Sequence, residues 1–130
     1  MNYFDEYFMR KALKEAIYAY EKNEIPVGAI IGYQNTIIAQ AHNITKKLKD
    51  LISHAEIQVI VAAEFYLKGR YKSLNQCSIY VTLEPCLMCS GAILLAKMNR
   101  FIFGASNISA LTKESSLLIE SFFNKKRKYL

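Results

Sequence analysis

Two cysteines three positions apart, Cys86 and Cys89, stand in the run T-L-E-P-C-L-M-C-S-G over 82–91, just after a proline and just before an apolar stretch of helical character. Residues at i and i+3 share a helix face, so both sulfurs can address one point. Pro85 suits the first turn of that helix, where its missing N–H costs nothing. The point lies at the positive end of the helix dipole, which lowers a thiol's pKa and favours the thiolate a metal needs. Two thiolates are half of a zinc site. Of the two histidines in the chain, His54 opens a second apolar helical run, S-H-A-E-I-Q-V-I, with Glu56 two positions on. One histidine and two cysteines make three protein ligands, the catalytic arrangement that leaves a place for water, whereas four would be structural. The same S-H-A-E reads as a capping box, with Ser53 as N-cap and Glu56 reaching back to it, in which case His54 merely starts a helix. The cysteine pair needs a third ligand, and His54 is the candidate at a comparable place. His42 lies on a loop and is read as solvated.

These groups need elements to hold them. Phe4, Phe8, Ala12, Ala16 and Tyr20 recur at i+4, widened by Met9, Leu13 and Ile17, and predict an amphipathic helix over 3–22 with Lys11, Lys14, Glu15 and Glu21 on the remaining surface. Val27 to Ile31 and Thr36 to Ala41 are two β-rich runs whose short connection, Gly32 to Asn35, implies an antiparallel hairpin. A polar, basic loop leads to a helix from Ser53 to about Leu67, closed by Gly69. Cys77 to Thr82 alternates as a strand, with Cys77 itself a packed residue. The Cys86 helix runs to Lys97, Arg100 to Gly104 is a last strand, and the chain is helical again from Leu117. Strands alternating with helices after the hairpin imply parallel crossovers, hence an α/β fold with helices on both faces of a mixed sheet.

With H-A-E at 54–56 and P-C-L-M-C at 85–89, the chain resembles the zinc-dependent cytidine/deoxycytidylate deaminase superfamily, whose signature is H-x-E…P-C-x-x-C. More closely, T-L-E-P-C-L-M-C-S-G-A-I, then N-R-F-I-F-G-A, with P-V-G-A at 26–29 and S-F-F-N-K-K-R near the end, is similar to the bacterial tRNA-specific adenosine deaminases. The resemblance implies a three-layer α/β/α cytidine-deaminase-like fold and one Zn2+ per chain on His54, Cys86 and Cys89. It implies that Glu56, not a ligand, shuttles protons while water replaces the amine of adenosine to give inosine and ammonia. It assigns Asn43 to the purine base, and the main chain at Ala55 and Glu84 to the pocket. The substrate it implies is the wobble adenosine of a tRNA anticodon stem-loop, gripped in part by the final helix through Phe123 as a stacking face and Lys125, Lys126 and Arg127 as phosphate contacts. It implies a homodimer with the active site near the interface.

Two other readings stand beside this one. Free-base or nucleotide deaminases of the guanine or cytosine type share P-C-x-M-C-x-G-A-I, although T-L-E before it and F-G-A after the last strand favour tRNA. A catalytically silent, zinc-stabilised RNA-binding subunit would have no use for the proton shuttle at Glu56. The chain also departs from the family: S-N-I-S-A-L-T-K-E-S follows F-G-A where a D-x-K-x-G-A motif and a fifth strand are usual. A four-stranded sheet is therefore expected, with Arg100 to Gly104 as an open edge unless the final helix or a partner covers it.

The 130 residues are expected to form a single deaminase domain over 1–130. Three cysteines are too few and odd in number for a disulfide framework and fit a reducing compartment. The acidic N-terminal stretch and the absence of a membrane-length apolar run point to a cytoplasmic protein. Lys and Arg outnumber Asp and Glu by 17 to 11, a net charge of +6 that suits a polyanionic partner without requiring one.

Overall fold

The computed structural model describes residues 3–68 and 73–104. Along the chain come α1 (Tyr3–Glu21), β1 (Gly28–Tyr33), β2 (Thr36–His42), the single turn α2 (Thr45–Leu48), α3 (Ala55–Leu67), β3 (Ser78–Val81), α4 (Leu87–Ala96) and β4 (Arg100–Phe103). Among the described residues the strands make one sheet in the order β2-β1-β3-β4. β1 pairs antiparallel with both β2 and β3, and β3 pairs parallel with β4 through the α4 crossover. The mixed sheet, hairpin first and parallel pair after, is the one the pattern predicts. β4 lies at its edge among the described residues. The helix expected from Leu117, the basic cluster at 125–127, Gly69 and the segment where a fifth strand would fall lie outside the described residues.

Strand periodicity builds the layers. Ala29 and Ile31 of β1 and Ile79 and Val81 of β3 join the core with Ala55, Val59, Ala63 and Ile93 on one face, while Ile30 and Tyr80 pack with Phe8, Met9 and Ala12 on the other. The first face carries α3 and α4, the second α1, which completes three layers. The hairpin turns on Gln34 and Asn35, both with positive φ, as a two-residue type I′ connection demands. α1 approaches the sheet so closely at Gly28 that a Cβ there would run into the Ala12 carbonyl and the Ala16 backbone.

Four details of the helices differ from expectation. Glu15 is buried rather than on the surface, because its carboxylate faces His42 at 3.5 Å, while Phe4 and Ile17 of the predicted apolar stripe are exposed. α3 begins at Ala55 with His54 as N-cap and no side-chain cap, so the capping box does not form. The Ser53 hydroxyl is already given to Asp50 at 2.7 Å. Likewise α4 begins at Leu87 with Cys86 as N-cap, which leaves Pro85 one residue outside the helix rather than in its first turn. The one-turn α2 sits in the loop that reads as irregular. It exists because the buried carboxylate of Glu24, more than twenty residues back, accepts the N–H groups of Lys46 at 2.9 Å and Lys47 at 2.8 Å and so supplies the cap that the local sequence lacks.

Candidate metal centre and cavity

His54 and Cys86 are each the N-cap of a helix, and Cys89 lies in the first turn of α4, so the three side chains gather where two helix N-termini meet. His54 Nδ1 is 3.4 Å from Cys89 Sγ and 3.7 Å from Cys86 Sγ, and all three donor atoms lie within 4.8 Å of one another. Zinc bond lengths of roughly 2.0–2.1 Å to nitrogen and 2.3 Å to sulfur place tetrahedral donors roughly 3.5–3.8 Å apart. The gap between these side chains therefore has the size of a zinc ion.

Charge supports the same occupant. Cys89 is fully buried, and burial, then the nearby Glu56 charge, pushes its thiol pKa well up. A thiolate in that position needs a cation beside it. Two helix dipoles supply part of that positive potential, and a divalent metal would supply the rest. Glu56, in the first turn of α3 and only 4 % exposed, has its carboxyl pKa raised by burial, an effect partly offset by its own backbone N–H, the Cys89 thiol and His54. The donor set and its surroundings fit zinc.

The cysteine loop is held by the sheet. Thr82, just past β3, exchanges two hydrogen bonds with Gly28 at the start of β1: its N–H donates to the Gly28 carbonyl and its hydroxyl accepts the Gly28 N–H, each at 3.1 Å. Beside the donors opens a cavity of about 260 Å3 with apolar walls from Ile25, Val27 and Leu83 and polar groups from Asn43, Thr45, Glu56 and Glu84, and with His54 and Cys86 at its lining. Asn43 is buried, and its Oδ1 has no hydrogen-bond partner among the described residues. Ala55 is fully buried and is not among the lining residues. His42 stays away from the donors, between Glu15 and Lys22. Sequence reasoning missed Ile25, Val27, Thr45 and Leu83, for which no chemical signature exists. Phe123, Lys125, Lys126 and Arg127 lie outside the described residues.

The sequence model of the cytidine and deoxycytidylate deaminase zinc-binding region matches residues 2–105, which span every residue of this centre. The chain belongs to that deaminase family. Among its relatives, the tRNA-specific adenosine deaminase of Aquifex aeolicus is 49% identical over 100 residues, 77% of this chain and 65% of that protein. The chain thus spans less than two thirds of that relative's length. A solved structure from studies of A-to-I editing by tRNA:A34 deaminases superposes with a TM-score of 0.71 at 41% identity, covering 76% of this chain and 75% of the other. A guanine deaminase from Bacillus subtilis also superposes with a TM-score of 0.71, at 29% identity, over 96% of this chain and 76% of that one. The matched region contains both the H-A-E and the P-C-L-M-C motifs of this chain, and here they meet in space.

Proposed function

We propose that the chain is a zinc-dependent hydrolytic deaminase that converts adenosine to inosine at the wobble position of a tRNA anticodon. The observation that carries this reading is the buried carboxyl of Glu56 beside three zinc-type donors in a cavity of about 260 Å3. Such a volume, below the roughly 300–1,000 Å3 of pockets for drug-sized ligands, holds a nucleobase and not a helix. An RNA substrate must therefore present an unpaired base turned out of its stack, as an anticodon loop can.

The chain's residues divide the work. His54 Nδ1, Cys86 Sγ and Cys89 Sγ would hold one zinc per chain, which when bound supplies water deprotonated near neutral pH. Glu56 takes a proton from the attacking water and gives it to the purine ring as the amine-bearing carbon becomes tetrahedral, then takes the proton of the new hydroxyl and passes it to the amine, which leaves as ammonia while the hydroxyl becomes the carbonyl of inosine. Its raised pKa suits a group that must both accept and return a proton. Asn43, at the cavity lining, offers an amide that can pair with a base edge as donor and acceptor. Glu84, at the cavity, completes the pocket. Ile25, Val27 and Leu83 keep water off the base.

Substrate grip and assembly belong to the same reading. The net charge of +6 and the cluster Lys125, Lys126, Arg127 with Phe123 suit phosphates and a stacked base of the anticodon stem-loop. A homodimer is supported by the outer sides of the packed pair α3 and α4, where Val61, Phe65, Leu94 and Leu95 are exposed. No helix among the described residues is long and apolar enough to cross a membrane, and a tRNA substrate would suit a cytoplasmic enzyme. A second reading, deamination of a free purine, is favoured by one observation: the guanine deaminase superposition runs over 96% of this chain.

Both are tested at once. Purified protein is incubated with an anticodon stem-loop carrying a wobble adenosine and, separately, with guanine, cytosine and cytidine, and inosine and ammonia are measured. Inosine in the RNA supports the tRNA reading. Ammonia released only from free guanine replaces it with the second, and release from none of them leaves a silent RNA-binding subunit.

A further inference from the structure

Gln58 is half-buried on α3, one turn beyond His54, and has no role in the chemistry above. Its side-chain Nε2 donates to the carbonyl of His42 at 2.7 Å and to the carbonyl of Ser53 at 3.0 Å. Two carbonyl acceptors at one end of an amide require the NH2 group there, and both of its hydrogens are used. His42 precedes Asn43 and Ser53 precedes His54, so one amide bridges the strand end that carries the former and the helix start that carries the latter. The Ser53 carbonyl also accepts the N–H of Ile44 at 3.3 Å, and Asn43 N–H donates to Val27 at 3.1 Å. Asn43 is thereby fixed on both sides, and it is one of the residues lining the cavity.

We propose that Gln58 is a positioning residue for substrate recognition: it locks Asn43 at a set distance from His54 and Glu56, so that the base contact and the reacting centre stay in register. This rests on the reading that Asn43 contacts the base. An Asn43 amide free to drift loses its contact with the base in the ground state and the transition state alike, which weakens binding while leaving turnover of the bound substrate little changed. Gln58→Met keeps the length and removes both donors. Gln58→Glu keeps the shape and sets an acceptor against two carbonyls.

The test uses the zinc-loaded full chain and an anticodon stem-loop with a wobble adenosine. In Gln58→Met, amide hydrogen exchange at Asn43 and Ile44 is expected to accelerate about tenfold, the size of losing about one net hydrogen bond. KM for the stem-loop is expected to rise about tenfold with kcat within about threefold and zinc content unchanged, and Gln58→Glu should move each readout further. In an Asn43→Ala background, adding Gln58→Met should raise KM no further. Unchanged exchange overturns the lock, and equal KM effects in both backgrounds overturn its action through Asn43. If exchange accelerates while Asn43→Ala leaves KM unaltered, the assignment of Asn43 to the base is wrong and the positioning role falls with it.

Discussion

His54 Nδ1 lies 3.4 Å from Cys89 Sγ although the two residues are 35 apart in the chain. Without a cation, burial pushes the Cys89 thiol pKa well up, so a thiolate there needs a positive charge beside it. Expected outcomes are about one zinc per chain by atomic emission, and loss of both metal and thermal stability on chelation or in His54→Ala, Cys86→Ser and Cys89→Ser, since metal binding energy is folding energy. Glu56→Ala should keep its zinc and lose about 10²–10⁴ in turnover. Full activity in that variant would remove the proton shuttle from the mechanism.

Asn43 should separate function from stability. A buried acceptor without a partner contributes nothing to the fold beyond packing, and its removal relieves a desolvation cost. Asn43→Ala is expected to unfold within about 1 kcal/mol of wild type in urea while kcat/KM for a stem-loop falls at least about tenfold. A variant that unfolds far more easily would mean the amide is a structural tie.

Glu24 should show the opposite balance. Its carboxylate satisfies two backbone N–H groups at the start of α2 from a buried position. Glu24→Ala leaves both donors unpaired and is expected to cost about 2 kcal/mol of stability with zinc retained. Glu24→Gln keeps an acceptor and should cost less. Chemical denaturation with metal analysis on the same samples checks both.

Asp50 carries a pH signature. The Ile52 N–H, then the Ser53 hydroxyl, hold its carboxyl pKa below the ordinary 3.8. A carboxylate with a depressed folded pKa adds stability that is present above the unfolded pKa and is lost as pH falls through the folded one. The difference in urea midpoint between wild type and Asp50→Asn should be constant from neutral pH down to about 4 and then shrink in more acid solution. A difference that grows in acid would show that the turn before His54 is held by something else.

Gly28 tests the contact between α1 and β1. Gly28→Ala puts a methyl group into helix backbone, which cannot rotate aside as a side chain can. The expected loss is about 3 kcal/mol, read by thermal unfolding. A neutral effect would mean that α1 shifts freely over the sheet.

The chemistry was legible in the sequence because it resides in scarce residue types at fixed spacing. Cys86, Cys89 and His54 stand out in the sequence as metal-type donors, which the fold brings within 4.8 Å of one another, and the period of two in β1 and β3 and near 3.6 in α1 announces the layers. What the tertiary structure alone decided concerns groups whose meaning is their neighbour. Glu15 belongs to a predicted polar face, yet it is buried because His42 comes to meet it. Ser53 looks like an N-cap, but Asp50 claims its hydroxyl and leaves that position to His54. Nothing near Thr45 predicts α2, since its cap is Glu24 from beyond β1 and β2. Ile25, Val27 and Leu83 wall the cavity as ordinary apolar residues, and Gln58 is an ordinary helix-former until its amide is seen between two carbonyls. Metal ligands are set by element chemistry, which a residue's type reveals; caps, clamps and walls are set by distance between segments far apart in the chain, which only the packed fold establishes.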